Sequence, residues 1–581
     1  MKYLAAFTSS VSLEGFRQPE FISVAAALDV PVTLLDDDIP WVSQGGEPFW
    51  FSVFESSATL DQLERLAARC ILLRGIYLLF ETAPTLEDLY ACLETRTAAA
   101  TPAASTALYR SYTSESEALH LSSSSSYCYQ VETIGRRYTS EEKLAVIEAV
   151  LRRAPLLGEV EWRRPKRSYF VFLHHASENA PAGAKGWVPN GPLLRVFHCR
   201  LCVESSRSAL LARYDLKKRP YIGTTSMPPE ESMVMANMSR VCPGHFVYDP
   251  FCGTGSLLVA AAHCGAMTFG SDADGRAMRA GTEKGKTSPQ MQQQRRLALA
   301  NYSPEQLKGL TEEERLLPSV WTNFKLYGLP PPDRVRMNFS AWQRGWHTSA
   351  GAGSGVIFDS IISDPPYGLR EPRKKVEMGT ATSCSAVVPP SAPAALSAYA
   401  TDEVVLDLVL FAAAHLAVGG YLTYWHPTTD NYTDRELPTH PSLRVLHNIP
   451  QRVSLKVVRR LIVMRKVAPL PYPPPSRESC AARRAPDDLR ALMVATALPD
   501  NADYMHYRAK RERKCQAAQQ FKTSASSCVE GISRSSGNRR GRKHSRLDGQ
   551  EEIVANRQRN IEARKAKQAA SHIANAARKD V

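Results

Sequence analysis

Apolar stretches alternate with amphipathic ones along most of the first 467 residues of this 581-residue chain. Short apolar runs at residues 71–80 and 356–362 predict buried strands, whereas apolar positions at helical spacing in residues 60–70 and 402–416 predict helices that pack on such strands. The order of these elements predicts an α+β region to about residue 215. From there to residue 467 it predicts an α/β unit around a central sheet.

Three polar stretches interrupt this pattern and predict insertions. Residues 98–126 are rich in Ala, Ser and Thr, which predicts a flexible segment, and residues 284–318 are rich in Gln, Arg and Glu, which predicts a surface excursion. Residues 373–399 have a basic start and several prolines, which predicts a mobile loop over the site described next. Beyond the last strand, residues 469–475 predict a linker and residues 486–498 a short helix.

The strand at residues 356–362 ends in a turn with specific chemistry. Two prolines can neither continue a strand nor enter a helix interior, so the chain leaves the sheet at Asp364 and Pro365, followed by Pro366 and Tyr367. The Asp364 carboxylate and the Pro365 carbonyl can each accept one N–H of an exocyclic base amine and direct its lone pair at an electrophile, while Tyr367 stacks on the base. For the four residues alone, an ordinary Pro-Pro loop with a capping Asp is the alternative interpretation.

A glycine loop follows an earlier predicted strand. Residues 246–248 end at Asp249, and Gly253 and Gly255 then form a tight turn before a helix at residues 256–264. The default interpretation of such glycines is a phosphate loop, but the spacing matches neither GxGxxG nor GxxxxGK[ST]. The acidic residue Asp249 stands before the glycines, and the lysine that follows the glycines of a phosphate loop is absent from this motif. An acid there suits a cationic ligand, such as the amino group of a methionine moiety.

Polar side chains also end the next two predicted strands. Asp272 follows the strand at residues 266–270, where an acidic side chain suits the two hydroxyls of a ribose. Asn338 follows the strand at residues 333–337 and could bond an adenine amine or serve as a cap. Together, the glycine loop, the ribose acid and the Asp-Pro-Pro-Tyr turn describe a Rossmann-like methyltransferase that uses S-adenosylmethionine and acts on a base amine.

The charge of the chain is concentrated at its end. The net charge is +14, and residues 471–581 alone hold 23 Lys and Arg against 12 Asp and Glu. This predicts a basic, largely disordered tail with a polyanion partner, and its residues 534–546 would allow a nuclear pool of the protein.

The spacing of the cysteines predicts the cellular compartment, and the hydropathy of the chain predicts whether it spans a membrane. Twelve cysteines without disulfide-type spacing fit a reducing compartment, which predicts a cytoplasmic location. Cys199 and Cys202 form a Cys-x-x-Cys pair, but no second pair stands at zinc-site spacing, so no metal site is predicted. No apolar run reaches about 18 residues, which predicts no membrane span, and the first seven residues do not resemble a secretion signal.

Nine motifs spread over residues 10–467 carry a family resemblance. They are FRQPEF at 16–21, PFWFSVF at 48–54, YTSEEKL at 138–144, KKRPYIGTTSMPPEESMVMAN at 217–237, DPFCGTGS at 249–256, GSDAD at 270–274, WTNFKLYG at 321–328, SDPPYGLRE at 363–371 and GGYLTYWHP at 419–427. In these motifs the chain resembles the catalytic subunit of the eukaryotic tRNA (guanosine-10 N2) methyltransferase, a class I methyltransferase family with a THUMP region.

The resemblance implies an architecture, a reaction and partners. Residues 1–215 would be a ferredoxin-like/THUMP tRNA-binding region, residues 216–467 a Rossmann-like S-adenosylmethionine-dependent methyltransferase domain, and residues 468–581 a basic tail without a counterpart. The reaction would be methyl transfer from S-adenosylmethionine to N2 of guanosine 10 in tRNA. A small zinc-binding activating subunit would form a heterodimer with the chain.

Carried over residue by residue, the resemblance also implies the site. The cofactor-binding residues would be Met227, Asp249, Phe251, Gly253, Thr254, Gly255, Asp272 and Asn338. The catalytic residues would be Asp364, Pro365, Pro366 and Tyr367. Asn338 stands where the family usually has Asp.

Two other functions remain open at this stage. The Asp-Pro-Pro-Tyr turn alone also permits an amine methyltransferase that acts on guanine in rRNA or adenine in DNA. A catalytically silent RNA-binding protein could keep the same fold, although it need not retain both the glycine loop and the turn.

Overall fold

The structure is a computed structural model, and the parts of it described here are residues 1–8, 11–35, 50–98, 126–156, 158–176, 191–223, 225–275, 289–345, 358–367, 374–376, 396–453 and 457–485. Most of the predicted insertion at residues 98–126, the predicted helix at residues 486–498 and the basic residues 534–546 lie outside these ranges. None of the helices in the described ranges is both long and apolar enough to cross a membrane.

The first half of the chain forms a seven-stranded sheet, called the N-terminal sheet. Its strands are β1 Lys2–Phe7, β2 Thr33–Leu34, β3 Phe51–Glu55, β4 Leu73–Ala83, β5 Tyr127–Ile134, β6 Arg167–His175 and β7 Leu193–Glu204. The spatial order is β2-β3-β1-β4-β7-β6-β5, and β5 pairs with β6 in parallel while the other neighbours are antiparallel. The first four strands have the order of a ferredoxin-like unit, as predicted.

Amphipathic helices cover the N-terminal sheet. They are α1 Arg17–Ala27, α2 Leu60–Arg69, α3 Leu86–Ala98 and α4 Ser140–Arg153, and α5 Arg207–Tyr214 follows the last strand. Helix α4 begins with a capping box in which the Glu142 N–H donates to the Thr139 hydroxyl and the Thr139 N–H donates to the Glu142 carboxylate. Cys199 lies buried in β7, where its thiol donates to the carbonyl of Phe170.

The second half forms another seven-stranded sheet, called the C-terminal sheet. Its strands are β8 Phe246–Asp249, β9 Met267–Asp272, β10 Asp333–Arg336, β11 Phe358–Ser363, β14 Leu416–Thr428, β15 Leu443–Arg452 and β16 Val458–Lys466. The spatial order is β10-β9-β8-β11-β14-β16-β15. The first five are parallel in the 3-2-1-4-5 order of a Rossmann-like fold, and β16 lies antiparallel between β14 and β15.

Helices pack on the C-terminal sheet and on the segments that connect its strands. They are α6 Pro229–Met238, α7 Ser256–His263, α8 Pro289–Leu299, α9 Pro304–Lys308, α10 Glu312–Leu316, α11 Val320–Tyr327, α12 Trp342–Gly345, α13 Thr401–His415 and α14 Arg477–Cys480. Most residues of α6, α7 and α13 are buried, which explains why these segments are apolar nearly all round. The central strands lie between these helices and are also buried.

Two segments predicted as loops contain regular structure. The described part of the polar excursion at residues 284–318 is helical, in α8, α9 and α10, and the two short helices begin at capping boxes of Ser303 and Thr311. Within the predicted mobile loop at residues 373–399, β12 Lys374–Val376 pairs antiparallel with β13 Leu396–Ala398. The surface excursion and the predicted loop therefore contain short regular elements that the sequence analysis did not predict.

A short helix follows the predicted linker and packs on the C-terminal sheet unit. The hydroxyl of Ser442 donates to the carbonyl of Pro469 at 2.8 Å. The Cys480 side chain in α14 is 1% exposed, and Arg477 forms an ion pair with Asp407 of α13. The chain beyond residue 467, the last residue of the predicted methyltransferase domain, therefore still contacts the C-terminal sheet unit at Pro469 and in α14.

Buried contacts join the N-terminal region to the C-terminal sheet. The 3-10 segment Val11–Phe16 between β1 and α1 contributes Leu13 and Phe16 to the same apolar cluster as α6 and α7. The ring centroids of Phe16 and Trp425, which lies in β14, are 5.8 Å apart in an edge-to-face arrangement. A few residues of the predicted region 1–215 thus belong to a core cluster of the predicted region 216–467, while most of the N-terminal region has cores of its own.

Glu20 of α1 makes the most specific of these contacts. Its side chain is fully buried, and Oε1 accepts the Ile71 N–H at 2.9 Å and the Asn237 side-chain N–H at 2.7 Å. Oε2 accepts the Leu72 N–H at 2.9 Å. Burial raises the pKa of Glu20 to about 7, and these three donors oppose that shift. Above that pH the group is mainly the carboxylate that three donors require.

We predict that Glu20→Gln destabilises the protein at pH 8. One oxygen of the carboxylate becomes an NH₂ group facing an N–H donor, which should lower the free energy of unfolding by about 2 kcal/mol. Urea denaturation of the variant measures this effect, and Glu64→Gln on the exposed face of α2 is the matched control. Equal stability of the two variants would contradict the structural role of Glu20.

Candidate active site

Two neighbouring strands of the C-terminal sheet bring the glycine loop and the Asp-Pro-Pro-Tyr turn together. Strands β8 and β11 pair in parallel, with Val247 opposite Ser360 and Tyr248 opposite Ile361. Because parallel strands end at the same edge of a sheet, the segments that follow them meet there.

A direct hydrogen bond ties these two segments together. The Ser363 hydroxyl, one residue before Asp364, donates to Oδ1 of Asp249 at 3.3 Å. No local pattern in the sequence signals this contact, although Ser363 stands directly before Asp364. This hydrogen bond fixes the position of Asp249 relative to the Asp-Pro-Pro-Tyr turn.

The glycine loop needs two left-handed residues. Gly253 has φ of +48° and Gly255 has φ of +80°, and α7 begins immediately after them. A Cβ at Gly255 would lie 3.0 Å from Cγ1 of Val320, whereas none of the described residues lies within 4 Å of a Cβ position at Gly253. The loop is therefore packed against α11 at Gly255 and open at Gly253.

Asp272 at the end of β9 holds the glycine loop from the other side. Its Oδ2 accepts the Gly253 N–H at 2.9 Å, and its Oδ1 accepts the Asp274 N–H at 2.7 Å. Asp272 thus lies beside the glycine loop at the carboxyl end of β9, where the sequence predicts the ribose acid.

The other predicted cofactor residues lie around this loop. Oγ1 of Thr254 is 2.6 Å from Oγ of Ser226, and this contact brings the buried neighbour Met227 close to the loop. The Phe251 ring packs edge-to-face on Phe339, with centroids 5.1 Å apart, next to the end of β10.

Asn338 serves as a cap at the end of β10. Its side-chain N–H donates to the carbonyl of Lys374 at 2.9 Å. Its Oδ1 accepts from the N–H of Ser340 at 3.2 Å and from the hydroxyl of the same residue at 3.0 Å. This is the capping role that the sequence left open beside the adenine contact, and it also anchors β12 near the site.

In the Asp-Pro-Pro-Tyr turn, the tyrosine and the aspartate are joined. The Tyr367 hydroxyl donates to Oδ1 of Asp364 at 2.6 Å. Burial and the Asp364 carboxylate raise the pKa of Tyr367 well above its ordinary value, while Arg459 opposes the shift. The phenol therefore stays protonated and can donate to Asp364, a contact that the sequence did not predict.

Three acidic side chains influence one another electrostatically at this edge of the sheet. Burial raises the pKa of Asp249 well above its ordinary value; the Phe251 N–H opposes this, and the nearby carboxylates of Asp272 and Asp364 raise it further. A buried carboxyl beside two other acids ionises more readily when a positive ligand binds there. This electrostatic arrangement fits the sulfonium and amino groups of S-adenosylmethionine.

Comparisons with known proteins agree with this geometry. A family profile described as the RMKL-like methyltransferase domain UPF0020 matches residues 217–379. The curated protein tRNA (guanine(10)-N(2))-methyltransferase TRMT11 of Homo sapiens is 30% identical over 429 residues, which cover 73% of this chain and 80% of that protein. The chain belongs to the TRMT11 family. The Rattus norvegicus TRMT11 is 29% identical over 459 residues, covering 78% of this chain and 85% of the relative.

A solved structure is also similar. TrmN from Thermus thermophilus is 16% identical over 80% of this chain and 100% of its own, with a TM-score of 0.35. A TM-score this low supports no further conclusion. The Rossmann-like fold of the C-terminal sheet instead follows from its own strand order and from the family profile.

We predict that Gly255→Ala destabilises the protein more than Gly253→Ala. Both variants place a side chain in the left-handed region, at a cost of about 1–2 kcal/mol. Only the first also forces a methyl group against Val320, which should add about 1–3 kcal/mol. Thermal unfolding of the two variants side by side measures the difference, and equal melting temperatures would contradict the tight packing of Gly255 on α11.

Proposed function

We infer that this chain transfers a methyl group from S-adenosylmethionine to the exocyclic N2 of guanosine 10 in tRNA. The observation that supports this chemistry is the hydrogen bond between Ser363 at the end of β11 and Asp249 at the end of β8. It holds the glycine loop beside the Asp-Pro-Pro-Tyr turn, as transfer between a cationic donor and a base amine requires. Membership of the TRMT11 family supports the substrate and the position.

We propose that the glycine loop and its neighbours hold the cofactor. When bound, S-adenosylmethionine supplies an activated methyl group on a positively charged sulfur. The Asp249 carboxylate would face the amino group and Asp272 the ribose hydroxyls, which the acids at this edge support. Asn338 would contact the adenine if it exchanged one of its capping bonds. The remaining proposed contacts are Met227, Phe251, Gly253, Thr254 and Gly255.

We propose that the turn after β11 holds the target base. The Asp364 carboxylate and the Pro365 carbonyl would accept the two N–H groups of the guanine amine, because an amine held in this way directs its lone pair away from both acceptors. Pro366 would keep the backbone of the turn rigid, and Tyr367 would stack on the base. The base would leave its stack in the tRNA to reach this pocket. Most of the rate enhancement would come from this positioning and from the polar contacts.

Further proposals concern the partners and the compartment. Residues 1–215 would bind tRNA as a ferredoxin-like/THUMP region, for which the ferredoxin-like strand order gives support. The exposed basic residues Arg163, Arg164 and Lys166 would contact phosphates. A small zinc-binding activating subunit would form a heterodimer with the chain, an idea that rests on the family resemblance. The free cysteines of the described residues favour the cytoplasm. A nuclear pool through the basic tail remains a hypothesis outside the described residues.

Mapping the methylated nucleoside tests the proposed function. The purified chain, with and without the zinc-binding subunit, is incubated with labelled S-adenosylmethionine and unmodified tRNA. N2-methylguanosine at position 10 is the expected product. Methylation of rRNA guanine or DNA adenine in place of tRNA would favour the alternative amine methyltransferases. Cofactor binding without any methylation in the presence of the subunit would favour a silent RNA-binding protein.

We predict that Asp364→Ala removes most of the activity but leaves cofactor affinity and stability nearly unchanged. Loss of the amine acceptor should lower kcat by about 100-fold or more, the range found for polar groups that act in the transition state. Single-turnover methylation and calorimetry with S-adenosylmethionine measure the two effects. Asp430→Ala, at the exposed surface pair with Arg452, is the control. Turnover of Asp364→Ala close to wild type would disprove this role.

We predict that binding of S-adenosylmethionine releases protons and tightens as the pH rises. The pKa of Asp249 is raised in the free protein, and a bound ammonium favours the ionised carboxylate, so the proton leaves on binding. Asp249→Asn should lower the affinity about tenfold and abolish the release. Calorimetry in two buffers of different ionisation enthalpy measures the protons. Wild-type binding without proton release would contradict the assignment.

A further inference from the structure

Strand β12 is tied to the end of β10 by two hydrogen bonds. The side-chain N–H of Asn338, two residues beyond β10, donates to the carbonyl of Lys374 at 2.9 Å. The N–H of Val376 donates to the hydroxyl of Ser340 at 3.0 Å. Strand β12 also pairs with β13, with Val376 opposite Leu396. The Lys374 carbonyl is therefore held beside the Asn338 amide at the carboxyl end of β10.

The orientation of the Asn338 amide is fixed by groups that can only donate. The Ser340 N–H lies against Oδ1 at 3.2 Å between the heavy atoms, and a backbone N–H cannot accept, so Oδ1 is the carbonyl oxygen. The Ser340 hydroxyl accepts from the N–H of Val376 and directs its own hydrogen to the same Oδ1 at 3.0 Å. Both lone pairs of Oδ1 are therefore used within the protein. The amide presents its N–H groups, and not its oxygen, to a ligand.

Asn338 and Lys374 together form a hydrogen-bond donor beside an acceptor. The Nδ2 atom of Asn338 and the carbonyl oxygen of Lys374 are 2.9 Å apart. The Watson–Crick edge of adenine has the complementary order, since its ring N1 accepts and the neighbouring N6 amine donates. An adenine edge can therefore replace the bond between Asn338 and Lys374 with one bond to each of them. Neither group loses a partner in this exchange.

The pairing of β9 with β10 places this donor and acceptor within reach of a base on the proposed ribose site. The Met337 N–H donates to the carbonyl of Asp272 at 3.0 Å, so the two strands remain paired up to the residue before Asn338. Neighbouring strands lie about 4.8 Å apart, a distance that a purine attached to a ribose at Asp272 can span. The rings of Phe251 and Phe339, with centroids 5.1 Å apart, provide apolar surface at the same end of β10.

We propose that Asn338 and the backbone carbonyl of Lys374 select the adenine of S-adenosylmethionine, with Asn338 as the donor to N1 and Lys374 as the acceptor of the N6 amine. This assignment rests on the proposed function, which places the cofactor at this edge of the sheet. It reverses the contact available to an aspartate at position 338, because a carboxylate can only accept and would have to bind the amine. Strand β12 is thereby part of the cofactor site, although no motif in the sequence signals it.

Two substitutions at position 338 separate the donor from the acceptor. Asn338→Ala removes the donor and keeps the backbone carbonyl of Lys374. Asn338→Asp keeps the shape of the side chain but replaces the donor with a second acceptor. Asn301→Asp is the matched control, because the Asn301 side chain also donates to backbone carbonyls, those of Leu297 and Ala298 at the end of α8.

The experiment measures binding by calorimetry, with S-adenosylhomocysteine and two analogues of it. One analogue has a C–H group in place of N1, and the other lacks the N6 amine. Each change should weaken binding to the wild type about tenfold, since one partner of a hydrogen bond is removed. In Asn338→Ala, the C–H analogue should bind as well as S-adenosylhomocysteine, while the loss caused by the missing amine should remain. Asn338→Asp should bind S-adenosylhomocysteine about tenfold more weakly than the wild type, and Asn301→Asp should bind it equally well.

Three outcomes would overturn this inference. The first is equal affinity of the wild type for S-adenosylhomocysteine and the C–H analogue. The second is an Asn338→Asp variant that binds S-adenosylhomocysteine as tightly as the wild type. The third is a loss from the missing amine that disappears in Asn338→Ala, which would make Asn338 the acceptor in place of Lys374.

Thermal unfolding shows whether the variants fold, and the comparison of analogues on the wild type tests both contacts without any variant. A wild-type chain that binds neither S-adenosylhomocysteine nor S-adenosylmethionine would instead overturn the proposed function itself.

Discussion

The parallel pairing of β8 with β11 is the constraint on which the site depends. It brings Ser363 into hydrogen-bond contact with Asp249, 114 residues apart in the sequence. In the proposed function neither segment has a complete site of its own, since the glycine loop would bind the cationic donor and the turn would accept the amine. The register of one strand pair therefore decides whether donor and acceptor can meet.

A second constraint is the shared core between the N-terminal region and the C-terminal sheet. Glu20 accepts hydrogen bonds from the backbone of Ile71, just before β4, and from the side chain of Asn237 in α6. Phe16 packs on Trp425. A region joined by buried, directional bonds keeps a fixed orientation to the site, unlike one joined by a flexible linker. If residues 1–215 bind tRNA, as proposed, this rigidity would place the RNA relative to the turn at Asp364.

The sequence predicted those features that depend on local chemistry. Three of these features are each encoded by a few neighbouring residues. They are the Asp-Pro-Pro-Tyr turn, the glycine loop and the capping box at Thr139, and the structure forms each of them at the expected residues. The capping boxes of Ser303 and Thr311 were also readable, but the polar composition around them led to the prediction of an excursion. The bond from Ser363 to Asp249 could not be predicted, because it joins residues 114 apart in the sequence that have no local pattern in common.

The central claim is that the turn at Asp364 acts on the exocyclic amine of guanosine 10. The most direct measurement compares tRNA carrying guanosine at position 10 with the same tRNA carrying inosine there, which differs by the absence of that amine. The account predicts that both tRNAs bind with similar affinity and that only the guanosine form accepts a methyl group. Equal methylation of the inosine form would contradict it, since the methyl group would then go to another atom.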